Sequence, residues 1–418
     1  VTSRPTARGR AAAAGSPRAV LVVFAVSGFV MGQTLARVPA VRDQVGASQA
    51  ELGLALVGGG LGAVLAMPFT ARLVDRWGTR RVVTVALALG CLGWGSVGLA
   101  PTVWALGLQL LLAGAAVGIW DVAMNIEAAE VERRRGRTWM PYFHAAFSAG
   151  TVLGAALAGV AAWVGVGTGQ IPVLALLALV AGQLGVRPFL GVTPPPEGEP
   201  DPPAQAAAPG AEGPGTGRGP GRGVTPVELV IGLVALGAAL AEGAAGDWLA
   251  LLLVDVHRAP EAVGAATFTA FGLTMFLGRL AGGRAIERWG RIAVVRAGAL
   301  LTVAGILLLT VAPELPVPLA LAGGLLWGLG IAATFPACMS AAAEVPGRGS
   351  RAIGTVATIA YGAFLFGAPL IGLLAEQFGL ARALWTVVAF LVLMALLSRS
   401  LRPGPAVAAP RPAQLETQ

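Results

Sequence analysis

Two carboxyl groups sit where carboxyl groups are costly. Asp121 and Glu242 each lie inside a long apolar run of the 418-residue chain, and an ionisable group in hydrocarbon usually faces a water-filled path or a partner. Asp121 and Asn125 are four residues apart, so on a helix they share a face. His144, about one turn into the following run, lies at comparable depth. A carboxylate beside an imidazole can exchange protons with the adjoining aqueous space; a static hydrogen bond between the two helices is the competing reading. Glu242 lies roughly 24 Å along its run at 1.5 Å per residue. No cation is near it in sequence, which makes it a candidate proton carrier, the alternative being a neutral acid that only packs. Gln33 and Arg37 share a face near the end of the first run. Trp120 and Trp248 adjoin Asp121 and Asp247, where they could offer an aromatic platform to a sugar ring or an amine, although a membrane tryptophan more often packs or anchors at the interface.

The elements that must position these groups follow from composition. The chain is 56% hydrophobic and 12% charged, with a mean hydropathy of +0.76, whereas a soluble protein carries roughly twice that charged fraction. About 20 apolar residues span a bilayer as a helix, and twelve such runs fit, at 18–38, 51–71, 82–100, 103–126, 141–164, 170–189, 226–252, 261–282, 292–312, 317–339, 352–375 and 380–399. The fold class is therefore an all-α membrane protein, and a single-core globular enzyme is excluded. There is no pattern of metal ligands and no nucleophile–base constellation, so neither an enzyme nor a cofactor is expected. Cys91 and Cys338 lie in separate runs as small apolar fillers. The first run reads as a retained helix rather than a cleaved signal.

All 29 basic residues are arginine. They sit between apolar runs rather than on one soluble face, which argues against nucleic acid. With the N-terminus inside, the tails and inner loops hold 25 of them. The outer loops and helix ends hold four: Arg37, Arg42, Arg258 and Arg382. That asymmetry predicts a multi-pass protein of the cell membrane with both termini in the cytoplasm.

Residues 191–225 contain nine prolines and nine glycines with almost no large apolar side chain. They predict a disordered cytoplasmic linker between six-helix halves at 18–190 and 226–402. Residues 1–17 and 403–418 predict disordered cytoplasmic tails. The halves repeat each other: Asp75-Arg76-Trp77-Gly78 recurs as Glu287-Arg288-Trp289-Gly290, and Ala128-Ala129-Glu130-Val131 recurs as Ala342-Ala343-Glu344-Val345. Two repeated six-helix halves are an architecture of secondary transporters.

The stretch from Ala71 to Arg81, with Asp75, Arg76, Gly78, Arg80 and Arg81, resembles the signature between the second and third helices of the major facilitator superfamily. Its partner runs from Gly283 to Arg291 and holds Glu287, Arg288, Gly290 and Arg291. Ala71 and Thr79 depart from the family pattern, where a glycine and a basic residue are usual. Gly78 permits a tight turn, and Asp75 could meet a helix N-terminus or an arginine of the other half. The resemblance therefore implies a conformational latch on the cytoplasmic face. Asp121 to Asn125, Phe143 to Gly150 and Glu242 to Trp248 are similar to a poorly characterised bacterial group near the fucose-permease-like transporters.

The implied activity is secondary transport of a small polar solute, proton-coupled, by two halves rocking around a central site, in a protein that functions as a monomer within the lipid bilayer. Proton-driven export of a drug or natural product is the rival, weakened because Leu110 stands where the antiporter signature has arginine and the fifth helix lacks its proline. A non-transporting membrane sensor on the same fold is the rival from another class. Gly367-Ala368-Pro369 and Gly372 form a small-residue seam suited to close packing or bending. A shift of 210 positions places Glu51 on Glu261 and Arg37 on Asp247. It suggests that Arg37 and Asp247 pair across the halves as an outer gate.

Overall fold

The computed structural model describes residues 15–137, 139–192, 223–311, 316–346 and 348–402. Most of the expected linker and nearly all of both expected tails lie outside these residues. The first half comprises α1 (Pro17–Leu35), α2 (Val38–Val45), α3 (Gln49–Val97), α4 (Val103–Arg135), α5 (Met140–Trp163) and α6 (Gln170–Val186). The second comprises α7 (Pro226–Asp255), α8 (Glu261–Trp289), α9 (Arg291–Val311), α10 (Val317–Ile331), α11 (Thr334–Ala343), α12 (Gly349–Phe378), α13 (Leu380–Ala383) and α14 (Trp385–Leu397).

Ten helical segments among the described residues are long and apolar enough to cross a membrane. One of them, α3, is 49 residues long and breaks at Gly78, so it supplies two crossings, matching the expected spans 51–71 and 82–100. The 17-residue apolar helix α6 brings the crossings to twelve. The span expected at 317–339 divides into α10 and α11, and the last span into α13 and α14.

Local chemistry sets the helix starts and turns. Ser48 and Glu51 form a reciprocal capping box at the start of α3, and Thr225 and Glu228 form one at the start of α7, satisfying backbone N–H groups that have no helical partner. Gly78 adopts φ 74°, ψ 155° and Gly290 adopts φ 79°, ψ 155°, a backbone region that is essentially glycine's alone. The repeated tetrapeptides thus end in the same turn. At Gly78 space adds a second constraint, because a Cβ there would lie 2.8 Å from the Gly191 carbonyl oxygen, whereas at Gly290 it would meet nothing.

With twelve crossings, both described chain ends and the residues flanking 193–222 gather at one end of the molecule, the termini side; Gln49, Val103, Asp255 and Glu261 mark the opposite, far side. Within each half the helices approach closely through small residues, as the fold requires where hydrocarbon supplies no hydrophobic drive. Gly150 and Gly154 of α5 pack against α1, where added Cβ atoms would strike the carbonyl oxygens of Ala25 and Phe29 at 2.0 and 2.3 Å.

Two apolar cores result. One runs through the second half and continues into the far side of the first, including Leu35, Val41, Leu52, Leu106, Ala158 and Ile171. The other, built from Val20, Phe24, Val83, Leu87, Met124 and Phe143 among others, belongs to the termini side of the first half alone.

Candidate functional site

The halves meet at the far side through α3 with α12, α5 with α8 and α2 with α7. Glycine opens the tightest of these contacts: a Cβ at Gly53 would lie 2.6 Å from the Ala368 carbonyl oxygen, and one at Gly372 would lie 2.6 Å from that of Gln49. The small-residue seam of α12 is therefore a seam between halves. Charge reinforces it. Arg42 grips Asp255 through two nitrogens at 2.5 and 2.8 Å, and Gln49 donates to the same carboxylate at 3.3 Å. Burial works against the Arg42 charge, but Asp255 and Asp43 outweigh it and hold the guanidinium above its ordinary value. Glu376 accepts from the Ala50 N–H at 3.3 Å, a carboxylate at the N-terminus of α3 where its charge is favoured.

The far-side pair expected between Arg37 and Asp247 does not form. Arg37, 2% exposed, pairs with Glu261 at 3.3 Å and donates to the Val166 carbonyl at 2.8 Å. The reason is positional: the repeat maps a residue of one half onto its equivalent in the other, which does not make the two touch, and the first turn of α8 brings Glu261 to the arginine instead. Asp247 is half-buried and has no hydrogen-bond or ion-pair partner among the described residues. It shares a face of α7 with Gly243, four residues earlier, whose added Cβ would approach Phe364 of α12.

Glu242 also departs from expectation. It is not isolated: Arg279 of α8 places Nη2 at 3.0 and 3.1 Å from its two oxygens, with both side chains 34% exposed. Sequence distance hid this partner, which is 37 residues away and one helix over. Arg279 and Tyr361 are site residues that the sequence reading missed. An arginine inside the span 261–282 was the available signal; Tyr361 gave none.

The remaining polar groups cluster near this pair. Tyr361 lies within electrostatic reach of both Asp121 of α4 and Glu242 of α7, and His144 of α5 within reach of Arg279. Groups from both halves thus share one region, and His144 and Tyr361 are exposed there. Asn125 donates to Asp121 through both the backbone carbonyl, at 2.9 Å, and the carboxylate, at 3.3 Å. His144 makes no hydrogen bond to Asp121; it sits edge-on to Phe24, with ring centroids 5.4 Å apart.

Three other candidates lie outside this cluster. Gln33 is fully buried and bonds to Thr34, the Ile171 carbonyl and Gln170, tying α1 to α6. Trp120 and Trp248 are fully buried against Gly90 and Gly372 respectively. They pack rather than present a platform.

At the termini side Asp75, Arg76, Glu287 and Arg288 are exposed and make no ion pair across the halves among the described residues; Arg288 lies over the Trp289 ring of its own half. Arg80 and Arg81 are exposed as well. Arg291 stays within the second half, bonded to Glu344 at 2.5 and 2.7 Å and to Ser340 at 2.8 Å. In the first half Thr79 replaces that arginine and donates to the buried Glu127, which also accepts from the Leu190 N–H, both at 2.5 Å.

The model of the Major Facilitator Superfamily matches residues 19–240 and 229–417. A relative from Sinorhizobium fredii, named as an uncharacterized transporter, is 35% identical over 386 residues, covering 92% of this chain and 98% of its own. Among solved structures, a mutant of the nucleoside transporter NupG superposes with a TM-score of 0.73 at 13% identity, covering 92% of this chain and all of its own. A bacterial homologue of the human lysosomal transporter Spinster, in an inward-facing and unoccupied conformation, gives a TM-score of 0.71 at 15% identity, over 96% of this chain and all of its own. The last two likenesses are of fold alone. Family model, relative and twelve-crossing architecture agree: the chain belongs to the major facilitator superfamily.

Proposed function

We propose that this secondary transporter moves a small polar solute across the cell membrane, driven by protons, with both termini in the cytoplasm and the termini side open in the state described. The observation that carries the reading is the unequal pairing of its acids. Glu242 has Arg279, whereas Asp121 in one half and Asp247 in the other have no cation partner among the described residues and are only half-buried. A carboxylate sealed away from water is costly unless a proton or a cationic partner neutralises it. Closing the termini side therefore favours the loaded protein over the empty, ionised one, which is what coupling requires.

In this scheme Asp75, Arg76, Glu287 and Arg288 meet partners of the opposite half when the cytoplasmic side closes, and the far-side pairs separate as the outer side opens. A single chain holds the whole pathway, so a monomer suffices. The test is uptake into proteoliposomes under an imposed pH gradient, with solutes chosen by thermal-shift screening. Asp121→Asn and Asp247→Asn are expected to abolish accumulation against a gradient while sparing counterflow exchange. Normal gradient-driven accumulation by both variants would remove protons from the mechanism, and efflux rather than uptake would favour the exporter reading.

A further inference from the structure

Arg80 and Arg81 stand at the mouth of a groove of about 590 Å³ between the second limb of α3 and α4, on the termini side of the first half. Below the two guanidinium groups the walls are apolar, formed by Val85, Leu89, Ala116 and Ile119, and Trp77 lies at the rim. Neither arginine side chain has a hydrogen-bond or ion-pair partner among the described residues. The groove faces outward: Val85, Leu89 and Leu92 are 56–58% exposed along one stripe of the helix, and in a membrane-spanning helix such a stripe is covered by hydrocarbon. Arg81 to Leu89 is eight residues, or about 12 Å of helix, enough to run from headgroup depth into the acyl region.

We propose that this groove is a binding site for an anionic phospholipid of the leaflet on the termini side, its phosphate held by Arg80 and Arg81 and its acyl chain lying along Val85 and Leu89. Charge complementarity selects the headgroup. Arginine presents a planar fork of donors that matches phosphate oxygens. The apolar floor selects a lipid over a free anion, because a small anion leaves that floor uncovered. Trp77, half exposed at the rim, occupies the headgroup level that tryptophan favours. This inference does not rest on the identity of the solute or on proton coupling.

The test uses the full chain in nanodiscs of phosphatidylcholine into which brominated phosphatidylglycerol or brominated phosphatidylcholine is titrated, with tryptophan fluorescence as the readout. Bromine near Trp77 quenches it. The anionic lipid is expected to produce a component of quenching with about 30-fold higher apparent affinity than the zwitterionic one, since each arginine near an anionic headgroup contributes roughly a fivefold preference. That component should vanish in Trp77→Phe, which keeps both arginines, and lose its headgroup preference in Arg80→Gln/Arg81→Gln. Trp77→Phe decides the location even where the double variant fails to fold. Equal quenching by both lipids, or a selective component that survives Trp77→Phe, would overturn the proposal. Relief of quenching by millimolar inorganic phosphate would make a free anion the occupant and overturn it too.

Discussion

The far side and the termini side are built from the same two halves and end in opposite conditions. At the far side one apolar core runs from half to half, glycine at Gly53 and Gly372 lets α3 and α12 approach closely, and Arg37 and Arg42 each reach an acid of the other half. At the termini side the first half keeps a core of its own, and the acids and arginines of the repeated tetrapeptides face water. Closure at one end is thus a matter of shape first and charge second. Two ion pairs fix register at a seam that small residues have already made possible.

That ordering can be broken at the seam. Gly53→Val adds a branched side chain where a single Cβ already lies 2.6 Å from a backbone oxygen. It should cost the joined state about 3 kcal/mol, at the upper end for overpacking. Spin-label distances across the far side should lengthen and transport should fall by about two orders of magnitude. Unchanged distances would show that shape does not hold this end.

A smaller effect is expected from charge. Arg42 and Asp255 are 17% and 18% exposed, between a surface pair and a buried one, so Arg42→Ala should weaken the joined state by about 1–2 kcal/mol. Exchanging the pair, Arg42→Asp with Asp255→Arg, should recover part of that loss in the same distance measurement. A double variant no better than the worse single one would mean that the pair contributes nothing across the seam.

The smallest effect belongs to the termini side. Asp75 has no partner to lose in the described state, so Asp75→Asn can act only on the opposite one. It should favour the termini-side-open state by about 0.5 kcal/mol, the value of a charge at a helix end. Accessibility of a cysteine introduced near Asn125 would report the shift. No change would leave the latch reading without support.

The fold was largely legible because its signals are local. Hydropathy marks each crossing by itself, and the repeated Trp-Gly pairs announce turns whose geometry Gly78 and Gly290 then share. The site was legible only as a set of depths. Asp121, His144 and Glu242 could be placed along their helices, but which way a helix is rotated and what stands across from it are properties of distant segments. Arg279 was visible as a charge near the end of its span and reads equally well as one more termini-side cation. Arg37 shows the same limit: its depth was right, and its partner was wrong by fourteen positions because symmetry equates residues without bringing them together.

Arg37 is held by Glu261 and one carbonyl, yet its Nε and Nη1 atoms have no partner among the described residues. A buried donor left unmatched costs about 1–3 kcal/mol, and more when it carries charge. In the rocking scheme proposed above, parting of the far side would let water meet those donors and recover that cost. On that scheme the joined end is under-bonded at Arg37 among the described residues, and the energy withheld there would come off the climb to the opposite state. A fully satisfied Arg37 would make a firmer seal and a slower carrier, since turnover depends on two conformations that differ by little.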